Sequence, residues 1–401
     1  MKSAAIVLGL IVACASLATS AAAQNSDVLP GNSGMAPGTI IDRSNAGTYS
    51  ALLPGALAFA VQHGLSIKVA PTERVEWPKA YQRVTEQYSP QVRLNEKGEL
   101  QNYIAGLPFP SVSASDPQAA LKIAYNWRWG PFIPEQVSFS GVAARTFVLS
   151  SRDADAFSPD ATHGDFRNEL TCDQAIVQRR AHLTDAEVAS KDGDVEWRER
   201  TDQCGPERGK AIGILYSEPN RLPDLYAYFE STRRWRRLAL PLAPSQSCTY
   251  TCTQLLMEYM PPKTDLYSWR LVDQRPILSC LNGGPITRET SGFEQVTCEP
   301  RRAYVLDMTP VKSAPDLLRA RVYIDTESFT YLGGEVYRDS NPDLSAAVWA
   351  KSPENPEALV VADDLYVPDD RPGTFLLLDL AQRQTFASQI SDGIFNPKGQ
   401  Q

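Results

Sequence analysis

The chain has 401 residues, of which 43% are hydrophobic and 21% charged, and its formal net charge is −8. This composition is ordinary for a globular protein. The acidic balance argues against broad nucleic-acid binding, which needs a basic surface to displace counterions from phosphates, so we expect no nucleic-acid partner.

The first 23 residues have the pattern of a secretory signal peptide. A lysine-containing start precedes an apolar run from Ala4 to Ala13, and small residues end at Ala23. This pattern predicts export and cleavage before Gln24. The residues before Cys14 also fit a lipoprotein signal, so lipidation of Cys14, with a membrane anchor, is the alternative.

Residues 24–36 are polar, contain Pro and Gly, and are expected to form a flexible leader. The next predicted element is a short helix that Ser44 or Asn45 could cap and that reaches toward Gly64. Pro54 lies inside this stretch and is expected to break the helix into two pieces.

The segment Gly106–Pro110 reads Gly-Leu-Pro-Phe-Pro. Neither proline can donate to a central ladder, so we expect a turn or a sheet edge there. Asp116 then precedes Pro117, which is typical of a helix start. Apolar residues follow at helical spacing, and the pattern predicts an amphipathic helix from Asp116 to Trp129.

This predicted helix carries three aromatic residues near its end, Tyr125, Trp127 and Trp129. They are candidates for lining the site of a hydrophobic ligand. The alternative is that they are ordinary core residues, because aromatic side chains bury large apolar areas.

From about residue 132 onward the pattern is mainly that of strands. Residues 150–210 are charged and are expected to form an irregular insertion with a short helix near residues 173–181. Apolar alternation between regularly spaced turn clusters then indicates an antiparallel sheet. The predicted strands cover residues 137–148, 212–230, 235–242, 267–278, 303–309, 318–325, 344–350, 359–367 and 374–380.

The stretch from Arg321 to Tyr331 reads as a strand, an acidic turn and a second strand. Period-two alternation places Val322 and Ile324 on one face. Phe329 and Tyr331 share a face after the turn.

Four arginines surround Trp235, at positions 233, 234, 236 and 237. On a strand, Arg234 and Arg236 would lie on one face and Trp235 on the other. One interpretation is a rim that binds lipid phosphates or carboxylates, which guanidinium groups suit well. The other is a solvated edge strand whose charges prevent aggregation.

Six cysteines follow the predicted cleavage site, and an even number in an exported chain indicates disulfides. Sequence cannot choose among the possible pairings. Proximity favours Cys280 with Cys298, while the other two pairs could be local. The disulfide candidates are Cys172, Cys204, Cys248, Cys252, Cys280 and Cys298.

No catalytic pattern is recognisable. The three histidines, His63, His163 and His182, lie near no Gly-x-Ser-x-Gly motif, and no His-Glu-x-x-His is present. The cysteines also lack zinc spacing. We therefore predict a protein that is not an enzyme and uses neither a metal nor a cofactor.

The order of short segments along the chain resembles a known bacterial envelope family, domain of unknown function 1329, also called outer-membrane lipoprotein-sorting-like proteins. Each segment is weak alone, but the shared order is fairly specific. The matching segments are Pro37–Thr39, Tyr81–Thr85, Asn102–Pro110, Asp116-Pro117, Asn126-Trp127, Arg233–Arg237, Tyr267–Asp273, Arg302–Val305, Arg321–Asp325 and Tyr337–Leu344.

The resemblance implies a mainly β (α+β) fold like that of periplasmic lipoprotein carriers. The expected architecture is one domain over residues 37–395, with a strongly curved antiparallel sheet forming an open half-barrel whose concave face is plugged by helices. The implied role is to carry a lipid or another hydrophobic small molecule in the periplasm.

The partner implied by the resemblance is an inner-membrane lipid exporter or an outer-membrane component. The alternative function is a non-enzymatic adaptor or scaffold of an envelope export complex, and an envelope hydrolase is less favoured. The cysteine-bearing stretches around residues 172–204, 248–252 and 280–298 depart from the family pattern.

Overall fold

The computed structural model describes residues 35–130, 232–238, 264–281, 295–312 and 319–337, except for the side chains of Trp235 and Leu238. Elsewhere it describes only the backbone of the strands given below. Contacts divide the chain into residues 1–34 and a second unit, residues 35–401. The predicted signal peptide and Cys14 lie outside the described residues.

Three α-helices lie in the N-terminal third of the second unit: α1 (Gly55–Gln62), α2 (Lys79–Tyr88) and α3 (Ala119–Trp129). A 3₁₀ helix, Ala46–Leu52, precedes α1, so the predicted break at Pro54 is confirmed. Helix α2 was not predicted. Within the described part, no helix is long and apolar enough to cross a membrane.

Two further 3₁₀ turns, Ser89–Gln91 and Thr264–Leu266, also occur. Eighteen strands are present in the part of the chain that the structure describes, and two of them, β3 and β4, form a separate small ladder. In chain order they are β1 (Ile40–Ile41), β2 (Ser66–Val69), β3 (Arg93–Leu94), β4 (Leu100–Gln101), β5 (Gln136–Val148), β6 (Asp165–Arg179), β7 (Trp197–Asp202), β8 (Ile212–Ser217), β9 (Asp224–Phe229), β10 (Arg234–Leu238), β11 (Tyr267–Ser279), β12 (Gln295–Pro310), β13 (Arg319–Asp325), β14 (Tyr331–Tyr337), β15 (Pro342–Ala350), β16 (Ala362–Pro368), β17 (Thr374–Asp379) and β18 (Gln384–Thr385).

The other strands form one sheet in the order β1-β2-β12-β13-β14-β15-β16-β17-β5-β6-β7-β8-β9-β10, with β11 beside β12 and β18 beside β5. The sheet is mixed rather than wholly antiparallel, because β2 runs parallel to β12. The N-terminal segment inserts β2 alongside the start of β12, a long-range pairing that local alternation does not reveal. The half-barrel curvature stays a prediction.

The predicted short helix near residues 173–181 is wrong. Residues Asp165–Arg179 form β6, which pairs antiparallel with β5 on one side and β7 on the other. Pairing with strands on both sides, rather than any local pattern, makes this segment a strand. Two strands of the sheet thus lie inside the segment that we expected to be irregular.

The described core has separate apolar clusters. One joins α1 to β2 and to the ends of β11 and β12, around Leu57, Ile67 and Leu278. A second places α2 and α3 against β12, β13 and β14, and it includes Val322 and Ile324. The second cluster confirms the face predicted for Val322 and Ile324, and it positions the site described next.

Candidate functional site

The Gly-Leu-Pro-Phe-Pro segment lies against helix α2. Gly106 has a φ of +78°, and a Cβ built on it would lie 2.6 Å from the backbone nitrogen of Thr85. The next residue, Leu107, donates its N–H to the Thr85 hydroxyl at 2.9 Å. Only glycine combines this backbone conformation with so close an approach, which explains its place in the segment.

Helix α3 is fixed to the same segment by a buried amide. The Asn126 side chain accepts a hydrogen bond from the Phe109 N–H at 2.9 Å and donates one to the Phe109 carbonyl at 2.6 Å. The Tyr81 hydroxyl of α2 donates to the carbonyl of Trp129 at 2.7 Å. These bonds link α2, the proline-containing segment and α3 into one unit, residues 79–129, which we call the helical cover.

The helical cover meets the sheet through stacked rings. Trp127 lies parallel to Tyr331, with centroids 5.6 Å apart, and edge-on to Trp269 at 6.4 Å. Tyr304 stacks on Phe329 in the same cluster. We call these five residues and Tyr267 the aromatic layer. Within the described part of the chain, the buried indole Nε1 of Trp127 has no hydrogen-bond partner, and the contact is made by the rings.

The acidic turn after β13 brings Phe329 into the aromatic layer. Asp325 Oδ1 accepts hydrogen bonds from the backbone N–H groups of Glu327 at 3.0 Å and Ser328 at 2.7 Å. Phe329 then adopts a φ of +58°, an uncommon conformation for a residue with a side chain. The Asp325 carboxylate therefore shapes the turn that directs Phe329 toward Tyr304.

The same carboxylate belongs to a buried ionic network around Arg301. The Arg301 guanidinium donates to Asp325 at 2.6 and 3.2 Å, to Glu299 at 2.7 Å and to Glu327 at 3.2 Å. It also donates to the Glu73 carbonyl at 2.8 Å. The side chains of Arg301 and Asp325 are each only 2% exposed. The network thus joins β12, the acidic turn and the chain before α2.

Burial alone would lower the pKa of Arg301, but the carboxylates of Asp325 and Glu299 outweigh it and raise the pKa above its ordinary value. The arginine is therefore charged at every accessible pH. Such a charge inside the protein is tolerated only because several acceptors surround it.

Another buried carboxylate, outside this network, lies on β14. Glu335 accepts a hydrogen bond from the Tyr323 hydroxyl at 2.9 Å. Burial raises the pKa of the Glu335 carboxyl, against the lowering effect of that hydrogen bond. Within the described residues, no group of three or more His, Cys, Asp or Glu side chains is placed to hold a metal ion.

Of the three predicted aromatic residues, Trp127 alone belongs to the aromatic layer. Tyr125 is half-buried and donates its hydroxyl to the Gly98 carbonyl at 3.1 Å. Trp129 stacks on Tyr103 at 5.5 Å. Because successive helical residues are about 100° apart, Tyr125 and Trp129 lie on the side of α3 away from Trp127.

The arginine-rich segment lies elsewhere in the fold. Arg234 and Arg236 are exposed on β10, the last strand of the order in the described residues, whereas α3 packs against β11. The side chain of Trp235 lies outside the described residues. The structure therefore does not bring these residues together with Trp127 into one site.

The Cys280–Cys298 disulfide is present and joins the end of β11 to β12, as predicted from proximity. Both cysteines are buried beside α1. Cys172 is on β6, where only the backbone is described. The remaining candidates, Cys204, Cys248 and Cys252, lie outside the described residues.

Sequence reasoning missed the Arg301 network and Glu335. A usable signal was present for the first, because Glu299 and Arg301 are two residues apart and share a face of β12. Opposite charges on one face of a strand that continues into the apolar run Tyr304–Leu306 indicate that the two side chains are buried together as an ion pair. For Glu335, no local signal distinguishes it from an exposed strand residue.

The sequence profile of a family described as a protein of unknown function (DUF1329) matches residues 40–393. No curated protein matches the chain. Similar solved structures include a DUF1329 family protein from Desulfovibrio piger, at 12% identity and a TM-score of 0.47, with 72% of this chain and 100% of that chain covered.

Two further structures are also similar. A domain named for outer membrane lipoprotein sorting, from Vibrio parahaemolyticus, has 13% identity and a TM-score of 0.45, covering 71% of this chain and 98% of that chain. A LolA superfamily protein from Nitrosomonas europaea has 12% identity and a TM-score of 0.40, covering 69% of this chain and 97% of that chain.

Proposed function

Because the chain belongs to the DUF1329 family, we propose that it is an exported periplasmic protein that binds and carries a lipid or another hydrophobic molecule. The family itself has no assigned function, so the proposal is argued from the residues of this chain. The observation that carries it is the aromatic layer between the helical cover and the sheet. The signal-peptide pattern of residues 1–23 supports the location.

The aromatic layer suits such a cargo. Exposing an acyl chain to water costs about 0.8 kcal/mol per methylene, so a carrier has to enclose it in apolar surface. Trp127, Trp269 and Tyr331 supply broad ring faces. Burial raises the pKa of Tyr267 in the same layer, which keeps its hydroxyl neutral.

The mechanism we propose is a displacement of the helical cover. Residues 79–129 are joined to one another by the bonds of Asn126 and Tyr81, so they can move together. A cargo chain would take the place of the sheet against Trp127, and its release would restore the ring stacking. Binding is reversible in this mechanism and needs no covalent step, so we propose a carrier rather than an enzyme.

Quenching of tryptophan fluorescence by a phospholipid with brominated acyl chains tests this proposal. Bromine quenches an indole ring only at short range, so the wild-type protein should be quenched as lipid is added. Trp127→Phe should remove part of this quenching. Trp129→Phe is the matched control on the same helix, and it should be quenched like the wild type.

Absence of quenching in the wild-type protein would contradict the carrier proposal, and so would a Trp127→Phe variant that is quenched as strongly as the wild type. Either result would favour the adaptor function, in which the aromatic layer is a permanent core. A membrane exporter or outer-membrane component as the partner that supplies or receives the cargo is part of the same proposal.

A further inference from the structure

The hairpin of β9 and β10 carries a concentrated positive charge on an acidic protein. Four arginines occur within positions 233–237, against two acidic residues in the hairpin, Asp224 and Glu230. Arg234, Arg236 and Arg237 are all exposed on β10. The whole chain has a formal net charge of −8, so this segment reverses the sign of the protein locally.

The register adds interfacial aromatic residues to the same hairpin. Arg237 pairs with Tyr226, and Trp235 pairs with Tyr228. Directly paired residues belong to one face of a sheet, so the register assigns Arg237, Trp235 and the two tyrosines to one face, and Arg234 and Arg236 to the other. Trp and Tyr are enriched at membrane–water interfaces, and arginine binds phosphate through paired hydrogen bonds.

We propose that the β9–β10 hairpin docks this protein on an anionic phospholipid surface. This inference rests on the proposed carrier function, because a carrier has to meet a membrane to collect or deliver its cargo. A protein with a net negative charge is repelled electrostatically by an anionic membrane leaflet. A locally basic segment therefore has to make the contact with the lipid phosphates. Among the described residues, β10 ends the strand order, which places the arginines at the sheet edge.

Co-sedimentation of the full chain with vesicles tests the docking surface. We expect the protein to pellet with vesicles of phosphatidylglycerol and phosphatidylcholine, and not with phosphatidylcholine alone. A basic residue near such a surface changes the affinity by about fivefold, so Arg234→Gln/Arg236→Gln/Arg237→Gln should weaken binding on the order of 100-fold.

The matched control is Lys68→Gln/Arg302→Gln/Lys312→Gln, which removes three exposed positive charges from β2, β12 and the residues just after β12, outside the helical cover. Both variants have the same net charge, so their overall repulsion from the vesicles is equal. The control should bind within about twofold of the wild type at about 0.1 M salt. Circular dichroism verifies that both variants are folded.

Two results would overturn the inference. One is a control variant that loses as much binding as the β10 variant, and the other is a wild type that ignores phosphatidylglycerol, which would favour an acidic protein partner. Uptake of brominated lipid from detergent micelles is measured in parallel. If uptake persists while docking fails, the docking surface is wrong and the carrier function stands; if uptake fails, the carrier proposal is wrong.

Discussion

Replacing Arg301 with Met should destabilise the protein severely. The substitution keeps much of the side-chain volume but removes every hydrogen bond that Arg301 donates to Asp325 and Glu299, whose side chains are 2% and 3% exposed. Two carboxylates would then stay buried without their counter-charge. Breaking a buried ion pair in this way costs about 3–5 kcal/mol. Urea unfolding followed by tryptophan fluorescence measures the loss.

Arg270→Met is the matched control, because it makes the same chemical change at an exposed ion pair. Arg270 contacts Asp307 at 2.6 Å, but its side chain is 73% exposed, and Asp307 keeps a second bond from Arg321. An exposed pair contributes at most about 1 kcal/mol. If Arg301→Met costs no more than Arg270→Met, the reasoning from burial is refuted.

Three further substitutions test other parts of the site. Gly106→Ala should lower the free energy of unfolding by about 2 kcal/mol or more, because the added Cβ would collide with the backbone of α2. Gly38→Ala is the control: its φ is +90° but open space surrounds it, so thermal unfolding should show a loss of about 1 kcal/mol. Asn126→Ala leaves two buried backbone groups unpaired and should cost about 2–4 kcal/mol, against about 1 kcal/mol or less for Tyr125→Phe. Burial raises the pKa of Glu335 above its ordinary value of 4.5, so just above that pH the folded protein still binds a proton that the unfolded chain has released. The free energy of unfolding of the wild type should therefore fall as the pH rises through this range. Glu335→Gln should remove this fall, which is measured as the difference between the urea midpoints at about pH 5 and about pH 7.5. If the variant loses as much stability between these pH values as the wild type, the pKa of Glu335 is ordinary.

The elements with strong local signals were predictable from the sequence. The helix ending at Trp129 was found from its spacing, although α3 begins at Ala119 rather than at Asp116. Asp116 instead accepts a hydrogen bond from the Gln118 N–H just before the helix. The faces of β13 followed from alternation, because Val322 and Ile324 are buried on one side.

The features that depend on distant partners were not predictable. The parallel pairing of β2 with β12 joins residues more than 200 positions apart, and β6 is a strand because β5 and β7 flank it. Helix α2 has no capping side chain that would mark its start. Arg301 shares a face with Glu299, but its bond to Asp325 depends on the turn after β13.

The separation of Trp127 from Arg234 could not be read from the sequence either. A single strand or helix fixes which residues share a face, but the strand order decides which faces meet. Trp127 contacts rings of β11 and β14, while Arg234 lies on β10 at the far end of the order.

Native mass spectrometry of the mature protein, purified gently from its own periplasm, tests the carrier function most directly. Organic extraction of the same sample identifies any bound molecule. The account predicts a lipid or another hydrophobic molecule at near-stoichiometric occupancy. A protein that is recovered empty, and that also takes up no lipid from vesicles, would contradict it.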